Sequence, residues 1–292
     1  MDVISFAMCS WEQMEKGFDC GDINAAFMDI AQAMYLFDKG LSIAMLMFTH
    51  RAGSRIIVPG QILRLANLKG KSVLIPHRFS IQHMLVHRLL TTGKLAIAGE
   101  NDGQEYVSIE AVPCSLMPEM TSADPDGDIA AFICPGPFGD TEIEKKGFRH
   151  LLISRDLWKD HPGSVFVVHQ DLINTKDQSL GLMVRCLLDG ARQLDRYMSS
   201  PDTGEKEIHD IQKVAAAFLS LSEDQIQKSL KTSGIAYTPK LLLPDMNILN
   251  IVLDYMSTTM QVMPAGADLD GFVRPEFIHS ALSENLALEN RN

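Results

Sequence analysis

The sequence contains an internal repeat, and this repeat limits the folds open to the chain more than any other feature. Residues 3–27 and 107–132 each read as an apolar strand ending in Cys-Ser, a short helix, and a Gly-Asp-Ile turn into a second strand. Any two β-α-β-α-β units share a glycine turn, so the common order of elements carries more weight than the turn alone. Short apolar strands that alternate with helices predict an α/β fold with mainly parallel sheets.

The likeness continues beyond these stretches. A helix closed by Lys39-Gly40 leads into a strand at 41–48, and a helix at 138–145 closed by Lys146-Gly147 leads into a strand at 148–154. Glycine suits this place because the residue just past a helix end often takes a left-handed conformation.

The second copy of the repeat has a beginning that the first copy lacks. A strand at Lys71–Ile75 and a helix at Ser80–Thr91 precede the second copy, with no counterpart before the first. We therefore expect a strand and a helix of roughly 30–40 residues to precede Asp2, the usual size of such a unit. On this interpretation the chain is truncated at its front.

Helical patterns dominate after the second copy. We expect residues 165–170 to begin a helix or its approach, and helices at 180–198 and 207–219. Ser222 and Gln225 form a capping-box pattern that opens a further helix. Another helix is predicted from Pro244-Asp245 to about Gln261, and the segment 270–288 is predicted to be a docking arm.

Composition excludes several classes of protein. The 292 residues carry a formal net charge of -11, which argues against a nucleic-acid partner because phosphate binding needs a basic surface. No apolar run reaches the roughly 18 residues of a membrane helix. No signal peptide is visible after Met1. The five cysteines have no metal-site spacing and most of the 16 methionines are expected in the core, so we expect no metal and no cofactor.

Catalytic motifs are missing from the sequence. There is no nucleophile elbow, no zinc-protease motif and no phosphate-binding loop with its lysine. We therefore expect a protein that binds its ligand and is not an enzyme. Two alternatives stay open: an enzyme on the same fold, with His83 or Cys134 as the reactive group, and a ligand-sensing domain of a larger protein.

Four segments resemble the solute-binding proteins of ABC importers for nitrate, sulfonate and bicarbonate, and their thiamine-precursor relatives. These segments are Leu68–Pro76, Met117–Met120 with Gly127–Phe132, Pro135–Gly139, and Asp254–Met256 with Asp268–Val273. The family turn carries Glu before its proline where this chain has Gly136, so no role of that carboxylate is carried over. The enzyme alternative then corresponds to a thiamine-precursor or menaquinone-type pathway.

The resemblance implies a type II periplasmic-binding-protein-like fold of two α/β lobes with a helical C-terminal tail. Lobe I would comprise residues 1–58 and 152–292, and lobe II residues 59–151, with crossings near 53–61 and 147–156. The ligand, a small anionic solute, would sit in the cleft and be delivered to a membrane permease. The resemblance also implies a periplasmic protein, or one anchored on the outer side of the inner membrane.

The segment Pro76–His83 is the strongest candidate for a binding site. It follows a strand and opens a helix, and helix N-termini bind anions through backbone N–H groups. Ser80 and Gln82 could add donors, while His77, Arg78 and His83 could add charge or hydrogen bonds. The alternative is a Ser80 cap with solvated neighbours.

Further candidates lie where other predicted strands end: Ser10, Trp11, Met28 with Asp29, His50 with Arg51, Pro135, Gly136 and Phe138. Each has a structural alternative as well. Ser10 could be a helix cap, Trp11 a cover of the core, and His50 or Arg51 a hydrogen bond at the first crossing.

Overall fold

The computed structural model describes residues 3–5, 7–8, 10–98, 106–137, 147–175, 177–199 and 205–289. Within them the strands are β1 (Ala25–Asp29), β2 (Ile43–Phe48), β3 (Ser54–Pro59), β4 (Ser72–Ile75), β5 (Ala96–Ile97), β6 (Tyr106–Ala111), β7 (Ile129–Pro135), β8 (Phe148–Ile153) and β9 (Ser164–His169). The α-helices are α1 (Trp11–Asp19), α2 (Ile30–Asp38), α3 (Ile81–Thr92), α4 (Met117–Ser122), α5 (Gln170–Thr175), α6 (Asp177–Ser199), α7 (Glu205–Leu219), α8 (Glu223–Thr232), α9 (Met246–Asp254) and α10 (Glu276–Glu289).

The chain forms two compact units, each assembled from separate stretches. The first unit holds residues 1–51, 162–195 and 237–292, and the second holds 52–161 and 196–236. These units differ from the predicted lobes at 52–58, 152–161 and 196–236. The difference has a physical reason, since β3 pairs with β7 and β8, and Arg55 of β3 donates a hydrogen bond to Ser229 of α8.

The first unit is built on a three-stranded sheet of order β1-β9-β2. The central strand β9 is antiparallel to both neighbours, so β1 and β2 run in the same direction. Every residue of β2 is buried, because α2 covers the sheet and the C-terminal segment lies along its edge. There the Met45 amide donates to Phe272 O at 2.6 Å, and the Arg274 amide donates to Met45 O at 2.9 Å. The predicted docking arm is therefore confirmed.

The second unit contains a six-stranded sheet of order β5-β6-β4-β7-β3-β8. Strands β5, β6, β4 and β7 are parallel, and β3 runs antiparallel between β7 and β8. Five of the six strands thus point the same way, as the α/β prediction requires. The core includes Met117, Phe132 and Phe148, with the last two rings edge to face at 5.6 Å. Burying each such side chain stabilises the fold by about 1.5–3 kcal/mol.

Most of the repeat is confirmed. Strands β1, β2, β6, β7 and β8 and helices α1, α2, α3 and α4 lie where the sequence predicts them, and Gly40 has a left-handed φ of 91°. The helix predicted at 138–145 lies outside the described residues. No helix among the described residues is long and apolar enough to cross a membrane.

Two predictions about strands are wrong. Residues 165–169 belong to β9, because the run Val-Phe-Val-Val pairs with both β1 and β2, and the expected helix starts only at Gln170. The described residues between Val3 and Ser10 form no strand, and Ile4 is 86% exposed. Their counterpart β6 pairs with β4 and β5. The described part of the first unit offers no strand equivalent to β4 for this segment to join.

Candidate functional site

Polar residues gather at one edge of the six-stranded sheet, where its parallel strands end. Strands β4, β6 and β7 end at Ile75, Ala111 and Pro135, so the loops after them meet at this edge. Strand β3 begins here as well, with Ser54 opposite Pro135. Ligands of open α/β sheets bind outside the carboxyl ends of the strands. This edge is therefore the candidate site in the second unit.

The N-terminus of α3 lies at this edge, and Ser80 caps it. The buried Ser80 hydroxyl accepts from the His83 amide at 3.2 Å and donates to His77 O at 2.6 Å. The first turn of α3 holds no acidic residue that would repel an anion. Ser80 thus holds the helix start in place, and its hydroxyl proton is used within the protein.

His77 and Arg78 precede this cap. His77 Nδ1 accepts a hydrogen bond from the Phe79 amide at 3.1 Å, so the ring proton of neutral His77 is on Nε2, which is a donor. The His77 and Phe79 rings meet edge to face at 5.1 Å. Arg78 is exposed and adds a positive charge. Arg78 and the helix dipole together make the end of β4 a positive region.

His83 has a different role from the one its position suggests. Its Nδ1 lies 2.9 Å from Arg78 O, a contact in which only the ring nitrogen can donate. Burial lowers the pKa of His83, and its electrostatic interactions with His87 and Arg78 lower it further, against the effect of that hydrogen bond. The neutral ring therefore has an unprotonated Nε2, which cannot donate to an anion.

Gln82 is buried and its amide is also engaged. Its Nε2 donates to Ser54 Oγ at 3.1 Å, which ties the first turn of α3 to the start of β3. Ser80 and Gln82 thus support the site from inside the protein.

Arg55 is a residue of this edge that the sequence analysis missed. Its fully buried guanidinium donates from Nη2 to Ser229 O at 2.8 Å and Ser229 Oγ at 3.3 Å. Burial lowers the pKa of Arg55 to about 10, so it stays charged at neutral pH. The available signal was a lone charged residue inside the apolar strand Ser-Arg-Ile-Ile-Val.

Gly136 follows β7 and has a structural reason to lack a side chain. A Cβ there would lie 3.0 Å from Ser229 Oγ and 3.6 Å from Arg55 Nη2, and its amide donates to Gly53 O at 2.9 Å. A side chain at position 136 would therefore meet Arg55 and Ser229. Pro135 lies at the end of β7, and Phe138 lies outside the described residues.

The first unit has its own strand-end edge. Asp29 at the end of β1 is opposite Ser164, and the Thr49 amide after β2 donates to Ser164 O at 3.0 Å. Asp29 caps α2 by accepting from the Ala31 amide at 2.9 Å. Met28 is buried in β1, which fits a core residue. At the start of α1, Ser10 accepts from the Gln13 amide at 3.2 Å and Trp11 is half-buried.

His50 and Arg51 end this edge at the first crossing. His50 Nδ1 lies 3.2 Å from Thr49 Oγ1, and a Cβ at Gly163 would lie 2.4 Å from His50 Nε2. The buried Arg51 guanidinium lies 3.6 Å over the Phe48 ring, and its Nε donates to Leu241 O at 2.6 Å. Arg51 thus fastens the C-terminal segment, which favours the structural alternative for this residue.

Two further properties of the described residues bear on metal and thiol chemistry. The described residues contain no cluster of His, Cys, Asp and Glu that could hold a metal ion. Burial raises the pKa of Cys114 to about 11 and raises that of Cys134 as well. A separate cavity of about 220 Å³ lies at the opposite edge of the second sheet, beside Pro59, Asp124 and Phe148.

The family follows from comparison with known sequences. The NMT1-like family matches residues 1–206. The chain belongs to the NMT1-like family. No curated protein matches the sequence.

Solved structures share the fold of this family member. The ligand-binding component of an ABC-type import system from Staphylococcus aureus, solved with zinc bound, is 18% identical (TM-score 0.76; 94% of this chain, 86% of that one). The periplasmic nitrate-binding protein NrtA from Synechocystis PCC 6803 is 13% identical (TM-score 0.73; 95% and 79%). The alkanesulfonate-binding protein SsuA from Xanthomonas axonopodis pv. citri, bound to MOPS, is 15% identical (TM-score 0.66; 90% and 84%). Most such structures are binding proteins, but a DszB mutant in complex with biphenyl-2-sulfinic acid is also similar. The type II periplasmic-binding-protein-like fold is thereby confirmed.

Proposed function

We propose that the chain is the solute-binding component of an ABC importer, and that it captures a small anion or anionic organic molecule of the nitrate, bicarbonate or sulfonate type. The observation that carries the proposal is the positive edge formed by His77, Arg78 and the N-terminus of α3. Backbone N–H groups and the helix dipole favour an anion at such a place, and the Arg78 side chain adds a positive charge.

The comparisons support this choice of ligand class. Two proteins with the same fold are named for binding nitrate and alkanesulfonate, and another belongs to an ABC-type import system. Both ligand names describe compact anions with several oxygen acceptors. A helix N-terminus with a cationic neighbour matches that chemistry.

The chemistry of the candidate reactive groups favours binding over catalysis. Cys134 is buried and its pKa is raised, so it is a thiol at neutral pH and a poor nucleophile. His83 is neutral, with its Nδ1–H donated to a carbonyl. These groups argue against a thiamine-precursor or menaquinone-type enzyme. The similarity to the DszB mutant structure is the reason to test the enzyme alternative.

The proposed role requires a membrane permease as the partner and a place on the outer side of the cytoplasmic membrane. The partner would receive the solute from this chain, as in the import systems to which similar proteins belong. Copurification with a permease after mild crosslinking in whole cells would support this. A chain found in the cytoplasm and bound to DNA would favour the sensing alternative.

Calorimetry on the purified chain tests the ligand class. Nitrate, bicarbonate, taurine, alkanesulfonates and pyrimidine precursors are titrated separately. The ligand is recovered afterwards and its mass is measured by mass spectrometry. We expect at least one anion to bind and to be recovered unchanged. Tight binding of neutral or cationic compounds alone would refute the proposal, and recovery of a converted product would favour the enzyme.

A pair of variants tests the location of the site. Arg78→Gln removes the exposed charge beside the α3 N-terminus, and we expect it to weaken anion binding roughly tenfold or more, since hydrogen bonds to charged groups contribute about 1.5–3 kcal/mol. Arg88→Gln is the matched control. It removes the same charge from within α3, further from the N-terminus of the helix, where the Arg88 guanidinium lies 5.6 Å over the Trp158 ring. An equal loss of anion affinity in both variants would mean that the position of the positive charge does not matter, and that the α3 N-terminus is not the binding site.

A further inference from the structure

Four buried polar residues of the second unit form a continuous set of hydrogen bonds, here called the relay: Gln82, Ser54, Ser154 and His161. Gln82 Nε2 donates to Ser54 Oγ at 3.1 Å, and the Ser54 amide donates to Ser154 Oγ at 3.0 Å. Ser154 Oγ lies 2.8 Å from His161 Nε2. All four side chains lie in one unit, so the set is a feature of that unit alone.

The relay connects the proposed anion site with the two segments where the chain crosses between the units. Gln82 is in the first turn of α3, at the proposed anion site. Ser54 opens β3, three residues into the second unit, and His161 is the last residue before the chain returns to the first unit. The Ala52 amide donates to His161 O at 3.0 Å, so the two crossing segments are also bonded directly.

Burial makes the relay cooperative. A buried polar group that loses its partner bears the full cost of desolvation, because no water replaces the lost bond. Low local polarity strengthens the bonds while all are formed. Displacement of one member therefore disturbs the next, and the relay has few intermediate arrangements available to it.

We propose that Ser54, Ser154 and His161 are positioning residues, which hold the first turn of α3 in a fixed relation to both crossing segments through Gln82. The ligand part of this inference rests on the proposed function. An anion at α3 would then stabilise the arrangement of residues 52–54 and 161, and those residues would in turn set the affinity for the anion, as linkage requires.

Amide hydrogen exchange on the ligand-free chain tests the relay without any assumption about the ligand. Ser154→Ala removes the central hydroxyl and leaves little new space. We expect exchange to become roughly three- to tenfold faster at the amides of Ala52 and Ser54, and also at residues 83–85 of α3, the effect of losing one net hydrogen bond. Gln82→Met breaks the opposite end, and the same amides at 52–54 should respond.

The control has to lose a buried hydroxyl of the same unit outside the relay. Thr121→Val does this, since Thr121 is buried and its hydroxyl donates to Met117 O at 2.8 Å. His161→Gln is the conservative variant, whose amide can bond to Ser154 and should restore slow exchange at residues 83–85.

Three results would overturn the inference: unchanged exchange at 83–85 in Ser154→Ala, an equal effect of Thr121→Val there, or no difference between His161→Gln and a His161→Leu variant. A failure of the proposed function gives a different pattern. In that case the wild-type chain binds no anion in calorimetry while the exchange coupling between 52–54 and 83–85 is intact.

Discussion

The described thiols of this chain differ in environment more than in sequence context. Cys134 is buried and Cys114 is half-buried, and desolvation raises the pKa of both, whereas Cys20 and Cys186 are exposed. We expect iodoacetamide at about pH 8 to alkylate Cys114 and Cys134 slower than the exposed pair, on the order of a hundredfold, since the thiolate is the nucleophile. Peptide mass spectrometry over time measures this, and equal rates would contradict the burial of these thiols.

His83 predicts a dependence of stability on pH. Its pKa is lowered in the folded chain by burial, so the unfolded chain binds more protons once the pH falls below the ordinary value of about 6.5. Stability contributed by neutral His83 is therefore complete at neutral pH and is lost on acidification. Urea unfolding at about pH 7.5 and about pH 5.5 should show a smaller loss for His83→Gln than for the wild type. His279→Gln, at an exposed position, is the control and should follow the wild type.

Gly163 allows the His50 ring to approach the backbone. An added Cβ would lie 2.4 Å from His50 Nε2, far inside van der Waals contact. We expect Gly163→Ala to lower the free energy of unfolding by about 1–3 kcal/mol, the usual cost of overpacking. The double variant with His50→Ala should recover part of that loss. Additive losses would show that the loss in Gly163→Ala does not come from contact with the His50 ring.

At the scale of elements, the two serine caps allow a comparison. Ser80 caps α3 from a buried position with two hydrogen bonds, and Ser10 caps α1 from a half-buried position. Loss of a cap costs about 0.5–2 kcal/mol, and a buried unsatisfied amide adds to it. We therefore expect Ser80→Ala to destabilise the chain more than Ser10→Ala in denaturant titrations. The reverse order would mean that the α3 start is more hydrated than its burial implies.

Sequence patterns predict those helices, caps and turns that are determined by neighbouring residues. The Ser80 and Ser222 caps, the Gly40 turn and the paired helices of the repeat all follow from nearby residues. Strand β9 was mistaken because its identity depends on two partners more than 100 residues earlier, β1 and β2. Arg55 was missed for a similar reason. Its binding partner, Ser229, is 174 residues away and leaves no local pattern.

The proposed ligand contacts show the same limit. The sequence placed Ser80 and Gln82 near a helix start, which is correct, but whether a polar side chain faces a ligand or the interior depends on packing. Ser80 bonds to His77 O and Gln82 to Ser54, so both lie on the inside of the site. The ligand-binding residues therefore stay a prediction, with His77 and Arg78 now the ones to test first.

At the scale of the whole molecule, two buried arginines on either side of the first crossing fasten later segments to their own units. Arg51 holds the carbonyls of Leu241 and Leu243 in the first unit, and Arg55 holds Ser229 in the second. We expect Arg51→Met to speed amide exchange in 239–243 and Arg55→Met to speed it in 223–232. Each variant should leave the other segment unchanged, and a uniform effect in both would mean that the units unfold as one.

The order of strands in the first unit also bears on how the chain folds as it is made. Strands β1 and β2 have both been synthesised by residue 48, but they do not pair with each other. Both pair with β9, which lies at 164–169. Such long-range pairing slows folding. A ribosome or a translocation channel would therefore release about half of the chain before this sheet could close, so the backbone groups of β1 and β2 lack their sheet partner until then.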